Sequence, residues 1–159
     1  MLQIVIRAAH ADDQSALELI FRRASLGNEG DREALLAHTE VLQLSATLIQ
    51  SGRVRVATQA NDEIVGFAST RYNGNGLELD DLFVDPDWQR RGIGRLLLGQ
   101  VIREATHERI LRIEVIANSH ALEFYRNAGF AEDGLAKTEL GTGTRMHLDF
   151  EEPRPHSET

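Results

Sequence analysis

The sequence predicts one α+β domain with α/β/α layers, built on a mixed, mostly antiparallel sheet of about seven strands with about four helices. Two observations support this prediction. Segments whose apolar residues repeat with a period of two are interspersed with segments of helical period. A strand–helix–strand unit in the second half implies that the fourth and fifth strands are parallel and joined by a right-handed crossover. A chain of 159 residues, 42% of them hydrophobic, can bury a core as a single domain.

The N-terminal third reads as one strand and two helical stretches. Residues 4–7 alternate as a short first strand. A helix then begins at Asp12 or Asp13, and its apolar positions repeat at helical spacing at Leu17, Ile20, Phe21 and Ala24. A second helical stretch starts at Asp31 and ends at Gly52, since glycine favours the end of a helix.

The next three strands are predicted to form an antiparallel meander. Residues 54–58 alternate with a period of two, a turn follows at 60–63, and the third strand covers 64–72. The run Asn73–Gly76 is a hairpin signal, because asparagine and glycine both tolerate positive φ.

The fourth strand contains a break in its hydrophobic alternation. Leu77 and Leu79 share one parity and Leu82 and Val84 the other, so a regular strand cannot bury all four on one face. One additional residue near Asp80-Asp81 restores the phase, as a β-bulge does. The pattern therefore predicts a bulge, and a strand covered on both faces is the alternative.

The second half contains the crossover helix and the last three strands. Asp85-Pro86 ends the fourth strand, and a helix follows Gly92 with an expected buried stripe of Ile93, Leu96, Leu97, Val101, Ile102 and Ala105. Gly99 in this helix is expected to allow close packing. The remaining elements are a strand at 110–116, a short helix at 119–127, and strands at about 131–139 and 144–150. Residues 1–150 thus form one predicted domain, and the polar residues 151–159 a flexible tail.

The composition excludes several kinds of site. The chain has no cysteine, which rules out disulfides, thiolate zinc sites, iron–sulfur clusters and a cysteine nucleophile. Lys137 is the only lysine among 17 basic residues, and the chain has no Gly-Lys-Ser/Thr phosphate loop. No two of the six histidines have His-x-x-x-His spacing, so we expect no metal.

The net charge of −8 argues against nucleic acid or an anionic membrane as a partner and leaves room for a cationic substrate. The chain has neither a long apolar run nor a basic-then-apolar start, which predicts a cytoplasmic location. The charge is also uneven. Residues 77–87 contain five acidic and no basic residues, and residues 88–103 contain four arginines and no acidic residue.

A basic loop with two glycines follows the fourth strand, with the sequence Gln89-Arg90-Arg91-Gly92-Ile93-Gly94. Glycine lets the backbone approach a ligand, and the following helix offers unpaired N–H groups and the positive end of its dipole. With Arg95 next to it, the loop is suited to a pyrophosphate, and a plain turn is the alternative. A dinucleotide-binding fingerprint does not fit, because Leu97 occupies its third glycine position.

Together these segments resemble the GNAT superfamily of acyl-CoA-dependent N-acetyltransferases. The resemblance depends on Leu82-Phe83-Val84-Asp85-Pro86, the loop Gln89–Gly94, Asn118, and Phe124-Tyr125-Arg126-Asn127-Ala128-Gly129-Phe130. It covers about residues 3–150 and implies a GNAT-like fold, with acetyl-CoA as the acyl donor.

The resemblance also implies how acetyl-CoA binds. The pyrophosphate would lie on the loop backbone, and the pantetheine arm would pair with the fourth strand. The thioester would enter a wedge where the fourth and fifth strands splay apart beside the bulge. The backbone N–H of Leu82 would stabilise the oxyanion of the tetrahedral intermediate. The candidate cofactor-binding residues are Leu82, Phe83, Val84, Gln89, Arg90, Arg91, Gly92, Ile93, Gly94, Arg95 and Asn118.

The implied chemistry is direct attack of an amine on the thioester, without an acyl-enzyme. The amine must lose a proton, so a carboxylate or a water relay is useful nearby. Glu78 lies eleven residues before Gln89, where histone-type members carry a catalytic glutamate, and Asp80 and Asp81 are rival bases. The alternative is that all three carboxylates are solvated or bind a cationic substrate. Tyr125 occupies the position of the family's general-acid tyrosine.

The predicted function is therefore transfer of an acetyl group from acetyl-CoA to a primary amine of a small molecule, peptide or protein. The first two helices, the loop at 24–31 and the hairpin near 141–143 would select the acceptor. The alternatives are a non-catalytic acyl-CoA-binding or regulatory module with the same fold, and an interaction domain whose basic loop is only a turn. The resemblance is compatible with a homodimer.

Overall fold

The computed structural model describes residues 3–26, 46–74, 76–138 and 141–150. Its strands are β1 (Val5–Ala8), β2 (Val54–Gln59), β3 (Glu63–Asn73), β4 (Gly76–Val84), β5 (Arg112–Ala117), β6 (Ala131–Thr138) and β7 (Gly141–Asp149). Its helices are α1 (Gln14–Leu26), α2 (Ala46–Gln50), α3 (Ile93–His107) and α4 (Leu122–Asn127). Most of the predicted second helix, most of the 24–31 loop, and the predicted tail lie outside the described residues.

The strands form one sheet in the order β1-β2-β3-β4-β5-β7-β6. β4 and β5 are parallel, with α3 as the crossover between them, and the other neighbouring strands are antiparallel. The predicted mixed sheet of seven strands with one parallel pair is therefore confirmed for the described part of the chain.

The predicted bulge in β4 is confirmed by the register with β3. Ser69 pairs with Asp81, whereas its neighbour Thr70 pairs with Leu79. Two residues of β3 therefore face three of β4, and Asp80 is the additional one.

The bulge brings the apolar residues of β4 into phase. Leu77 and Leu79 are buried, and Leu82 and Val84 pack against the same core. Phe83 packs on the opposite face, against the core formed with α1. Without the additional residue, Leu82 and Val84 would point to that second face.

The two faces of the sheet carry separate cores. α3 and α4 cover one face, where Leu97 and Val101 are buried against the strands. α1 and α2 cover the other face, where Leu17 and Phe21 are buried. Burying each such side chain contributes roughly 1.5–3 kcal/mol, so the two helix layers hold the sheet between them as the α/β/α prediction requires.

The predicted stripe of α3 is wrong at one position. Leu96 is 47% exposed, whereas its neighbour Leu98 is 2% exposed. At 3.6 residues per turn, Leu96 lies roughly 140° around the helix from the buried Val101, and Leu98 lies within about 60° of it. Leu98 therefore belongs to the buried stripe in place of Leu96.

β4 and β5 separate soon after they pair. Their register extends from Leu77 opposite Ile113 to Leu79 opposite Val115, and β5 then continues to Ala117 beside β7. The separation begins at the bulge. It leaves the edge of β4 beyond Leu79 without a strand partner in the described residues, which is the wedge that the family resemblance implied.

Two glycines give opposite expectations for substitution by alanine. A Cβ on Gly66 in β3 would lie 2.9 Å from the carbonyl oxygen of Phe83 and 3.3 Å from a methyl group of Leu97. A Cβ on Gly99 in α3 would meet nothing closer than 4.0 Å, an Arg103 nitrogen. Gly99 therefore does not serve close packing, contrary to the sequence-based expectation.

We expect Gly66→Ala to lower the free energy of unfolding by about 2 kcal/mol, because backbone atoms must move. We expect Gly99→Ala to raise it by about 0.5–1 kcal/mol through helix propensity. Urea denaturation of the two variants measures both values, and equal effects in the two variants would contradict this packing.

Candidate active site

The open edge of β4 presents backbone groups to the wedge. The N–H of Asp85 donates to the carbonyl of Val65 on β3 at 2.8 Å. Backbone N–H and C=O groups of successive residues point to opposite edges of a strand. Those of Phe83 therefore also point to β3, whereas those of Leu82 and Val84 point to the open edge. The side chain of Gln89 donates to the Val84 carbonyl at 3.4 Å. Of the three residues predicted to pair with a pantetheine arm, Leu82 and Val84 thus present their backbone groups there.

The loop after β4 ends at the N-terminus of α3. Arg90 and Gly92 adopt left-handed conformations, with φ of 64° and 80°. They turn the chain so that the unpaired N–H groups of the first turn of α3 face outward. The Arg91 guanidinium lies 4.7 Å from the centre of the Trp88 ring. A cavity of about 260 Å³ lies here, lined by Val84, Trp88, Gln89, Arg90, Gly92, Ile93, Gly94, Arg95 and Phe124.

An ion-pair cluster fixes the start of this loop to α1. Arg23 donates to Asp85 at 2.9 Å and to Asp87 at 3.0 Å. Asp85 also accepts from the backbone N–H of Asp87 at 2.9 Å, which closes the short turn after β4. The loop is therefore held from the opposite side of the sheet as well as by α3.

A second cavity, of about 420 Å³, lies on the α1 side of the wedge. All three acidic residues that the sequence singled out on β4 line it. Its walls include apolar side chains from α1, β4 and β5 and backbone from the start of β7. The lining residues are Phe21, Arg71, Glu78, Leu79, Asp80, Asp81, Phe83, Ile116, Asn118, Thr138, Gly141, Thr142 and Gly143.

Glu78 is a buried carboxylate in this cavity. The residue is 5% exposed, and its Oε2 has no hydrogen-bond partner among the described residues. Burial raises the pKa of Glu78, as do the negative charges of Asp80 and Glu114, while Arg71 and Arg145 oppose the rise. A carboxylate in these surroundings takes up a proton more readily than one in water.

Asp80 and Asp81 lie in different surroundings although they are adjacent. Asp80, the bulged residue, accepts from the Arg71 Nε at 2.9 and 3.2 Å. Asp81 accepts from the buried Ser69 hydroxyl at 2.5 Å. Burial raises the pKa of both carboxyls. Arg71 opposes that rise at Asp80, and Ser69 opposes it at Asp81.

Tyr125 lies in the core that α3 and α4 cover, and it lines neither of the two cavities. Its ring makes edge contacts with Phe124 and Phe130, at centroid distances of 5.1 and 5.3 Å, and the residue is 5% exposed. Burial raises the pKa of the Tyr125 phenol, and the charge of Asp81 raises it further.

Asn118 has a local role at the turn before α4. Its side-chain carbonyl accepts from the N–H groups of His120 and Ala121, at 3.1 and 3.0 Å. Its amide nitrogen is thus the group available for a ligand. Asn118 also lines the 420 Å³ cavity, and its role in binding the cofactor stays a prediction.

Four polar or charged residues that surround these carboxylates were missed by the sequence reasoning. Arg71 on β3 binds Asp80. Ser69 lies beneath Asp81, and Glu114 on β5 lies opposite Glu78 in the parallel pair. Arg145 on β7 lies 3.7 Å from Glu114. An acidic residue between the apolar residues Ile113 and Val115 was a signal for Glu114, whereas Ser69 and Arg145 carried none.

The described ranges hold no group of three or more His, Asp or Glu side chains placed to bind a metal ion. No helix within them is long and apolar enough to span a membrane.

The sheet order, the parted parallel pair and the basic loop at the start of α3 define the protein as one with the N-acetyltransferase fold. The family model of the acetyltransferase (GNAT) domain matches residues 23–149. The chain therefore belongs to the GNAT acetyltransferase family, and the predicted resemblance is confirmed.

Curated relatives match part of the chain. An uncharacterized N-acetyltransferase, ycf52, from Pyropia yezoensis is 33% identical over 75 residues, which cover 46% of this chain and 43% of the relative. The [ribosomal protein bS18]-alanine N-acetyltransferase of Salmonella typhimurium is 40% identical over 76 residues, covering 46% and 51%. The chain thus spans about half of the length, or less, of the relatives it matches.

Solved structures match nearly the whole chain. The PaiA N-acetyltransferase of Thermoplasma acidophilum, solved with coenzyme A, has a TM-score of 0.76 at 21% identity and covers 93% of this chain and 99% of its own. The ribosomal-protein-S18-alanine N-acetyltransferase of Escherichia coli has a TM-score of 0.72 at 23% identity and covers 99% of both chains. These matches show that the fold is GNAT-like, as predicted.

The contact between Ser69 and Asp81 gives a prediction for the site itself. The Ser69 hydroxyl favours the ionised carboxylate, so Ser69→Ala should raise the pKa of Asp81 by about one pH unit. Carbon-13 NMR of labelled aspartate carboxyls measures this, with Asp81→Asn assigning the resonance. Ser51→Ala, which removes an exposed hydroxyl bonded to the Leu48 carbonyl, is the control. An unchanged or lower pKa in Ser69→Ala would contradict the contact.

Proposed function

We propose that this protein transfers the acetyl group of acetyl-CoA to a primary amine by direct attack in a ternary complex. The observation that carries the proposal is the wedge between β4 and β5, where an open backbone edge lies beside a cavity lined by the buried carboxylate of Glu78. Family membership supports acetyl transfer. The related proteins include enzymes named for acetylating a ribosomal protein or histones, so a peptide or protein amine is a candidate acceptor beside a small amine.

The donor would bind along the open edge and the basic loop. The N–H groups of the first turn of α3, with Arg90, Arg91 and Arg95 around them, suit a pyrophosphate. Leu82 and Val84 can pair with the amides of a pantetheine arm as a strand would. The fit is supported by Gly92, where a Cβ would have no neighbour within 4 Å, so the loop surface is open to a ligand.

Glu78 is the base that the surroundings favour. An amine arrives as an ammonium ion and must lose a proton before it can attack. The pKa of Glu78 is raised, so it lies closer to neutral pH than that of an ordinary carboxyl. A base with such a pKa is ionised and can also accept a proton effectively. Asp80 is already paired with Arg71, which weakens it as a base, and Asp81 remains the rival.

Other groups act on the carbonyl oxygen and on the sulfur of the thioester. Attack places negative charge on the thioester oxygen, and the outward N–H of Leu82 can stabilise it. Collapse of the intermediate then breaks the C–S bond and releases a thiolate. The raised pKa of Tyr125 keeps its phenol protonated. Because a thiol is a stronger acid than a phenol, Tyr125 would act mainly as a hydrogen-bond donor to the departing sulfur.

The activity can be measured directly because the protein has no cysteine. Incubation with acetyl-CoA, a panel of small amines and peptides, and a thiol-reactive dye reports free CoA without background from the protein. We expect release of CoA that depends on an amine. Binding of CoA without turnover on any acceptor would instead support a non-catalytic acyl-CoA-binding module, and failure to bind CoA at millimolar concentration would support an interaction domain.

The two loop glycines should differ in their effect on donor binding. Gly92→Ala should weaken CoA binding about tenfold, because a left-handed residue with a Cβ costs about 1–2 kcal/mol and the loop would rearrange. Gly94→Ala should leave the affinity within about threefold, since its Cβ would meet the Phe124 ring at an ordinary 3.6 Å. Isothermal titration calorimetry with CoA tests both, and equal losses would contradict the assignment.

Removal of the phenol should slow turnover. We expect Tyr125→Phe to lower kcat at least tenfold, equivalent to about 1.4 kcal/mol of barrier, under conditions in which chemistry limits the rate. Tyr72→Phe is the matched control, because Tyr72 is exposed and its hydroxyl donates to Glu108. An unchanged kcat in Tyr125→Phe would remove Tyr125 from the mechanism.

Removal of the base should slow turnover further and change its pH dependence. We expect Glu78→Gln to lower kcat about a hundredfold or more and to abolish the fall of kcat at acidic pH, which protonation of the base causes. Asp80→Asn should cost less, because Arg71 already neutralises Asp80. Asp12→Asn, an exposed carboxylate in the turn before α1, is the control. A larger loss in Asp81→Asn than in Glu78→Gln would transfer the role of base to Asp81.

A further inference from the structure

A second carboxylate lies opposite Glu78 on the neighbouring strand. Glu78 of β4 and Glu114 of β5 are partners in the parallel register. Neighbouring strands lie about 4.8 Å apart and partner side chains point to the same face. Two negative charges in this arrangement repel each other, so the pair requires compensation from elsewhere.

The compensation comes from β7 on the far side of β5. Arg145 lies 3.7 Å from Glu114, and its own side chain is partly exposed. Arg112 also approaches Glu114, at 3.9 Å, but its guanidinium binds Asp149 at 2.7 and 3.2 Å. Arg145 is therefore the cation placed to neutralise Glu114 and to act on Glu78 beyond it.

We propose that Glu114 and Arg145 are positioning residues for acetyl transfer, which act on Glu78 in opposite directions through the charges they place beside its carboxylate. The proposal depends on the proposed function for its kinetic consequence, since it concerns the readiness of Glu78 to accept a proton from the amine. Its electrostatic part stands on the strand register and the ion pair.

Charged groups surround Glu78 on its own strand and on the strands β3, β5 and β7. Arg71 lies opposite it on β3, and Asp80 and Asp81 follow it on β4. Glu114 faces it from β5, and β7 contributes Arg145 and, beside Glu114, His147. α1 contributes the apolar Phe21 to the cavity, and β6 contributes Thr138. In these surroundings the negative charge of Glu114 raises the pKa of Glu78, and the positive charge of Arg145 lowers it.

The test uses the opposite signs of the two effects. Glu114→Gln removes a negative neighbour and frees Arg145, so the pKa of Glu78 should fall. Arg145→Gln removes a positive neighbour, so the pKa of Glu78 should rise. At low ionic strength each shift should be ~0.5–1 in pH. In the double variant, the pKa of Glu78 should be close to its value in the wild-type protein.

Carbon-13 NMR of labelled glutamate carboxyls measures the pKa of Glu78 directly, with Glu78→Gln assigning the resonance. The pH at which kcat falls on the acidic side should move in the same directions. A merely structural role would move both variants the same way, or would only lower the melting temperature. Glu132→Gln and Arg126→Gln are matched controls, because this ion pair joins α4 to β6 away from the cavity.

The outcomes separate this proposal from the proposed function. Opposite shifts of the Glu78 resonance, with matching shifts of the kinetic profile, support both. Opposite shifts in a protein that acetylates no amine support the charge arrangement and overturn the function. Shifts of the same sign, or no larger than in the controls, overturn the proposal. A loss of turnover in Glu114→Gln that exceeds the loss in Glu78→Gln would make Glu114 itself the base, which also overturns it.

Discussion

The additional residue in β4, Asp80, is the constraint on which the rest of the site depends. A strand with period two cannot place Leu77, Leu79, Leu82 and Val84 against one core without it. The same bulge bends β4 away from β5. The residue that lets the apolar side chains pack in one core therefore also opens the wedge. Core packing and the opening of the candidate active site are therefore one structural event.

The electrostatics of the site follow from this opening. Asp81 lies beyond Leu79, where β4 has lost a strand neighbour, and it is half-buried. Glu78 is buried at the end of the paired stretch, opposite Glu114. Burial raises the pKa of Glu78 and Asp81, and each is then adjusted by a neighbour on another strand. Burying carboxylates in this way lowers the stability of the fold, and groups of this kind are common at functional sites.

The basic loop completes the arrangement at the other end of the open edge. β4 leads directly into it, so the backbone that faces the wedge at Leu82 and Val84 continues to the N-terminus of α3. Arg23 holds the turn between them through Asp85 and Asp87. Positive charge at the loop and negative charge in the cavity thus lie along one edge, which agrees with the uneven charge of residues 77–103.

The sequence alone determined the sheet and helix elements, the bulge near Asp80, the basic loop and the family, because each depends on local periodicity, on glycine and proline positions, or on a short motif. It placed Leu96 in the core in place of Leu98, since several stripes of α3 share the helical period and only packing selects among them. Tertiary structure alone decided which groups meet in the wedge. Glu114 and Arg145 approach Glu78 from strands 36 and 67 residues away in the sequence, and Ser69 reaches Asp81 through the bulged register. Such contacts depend on strand order, which no local pattern records.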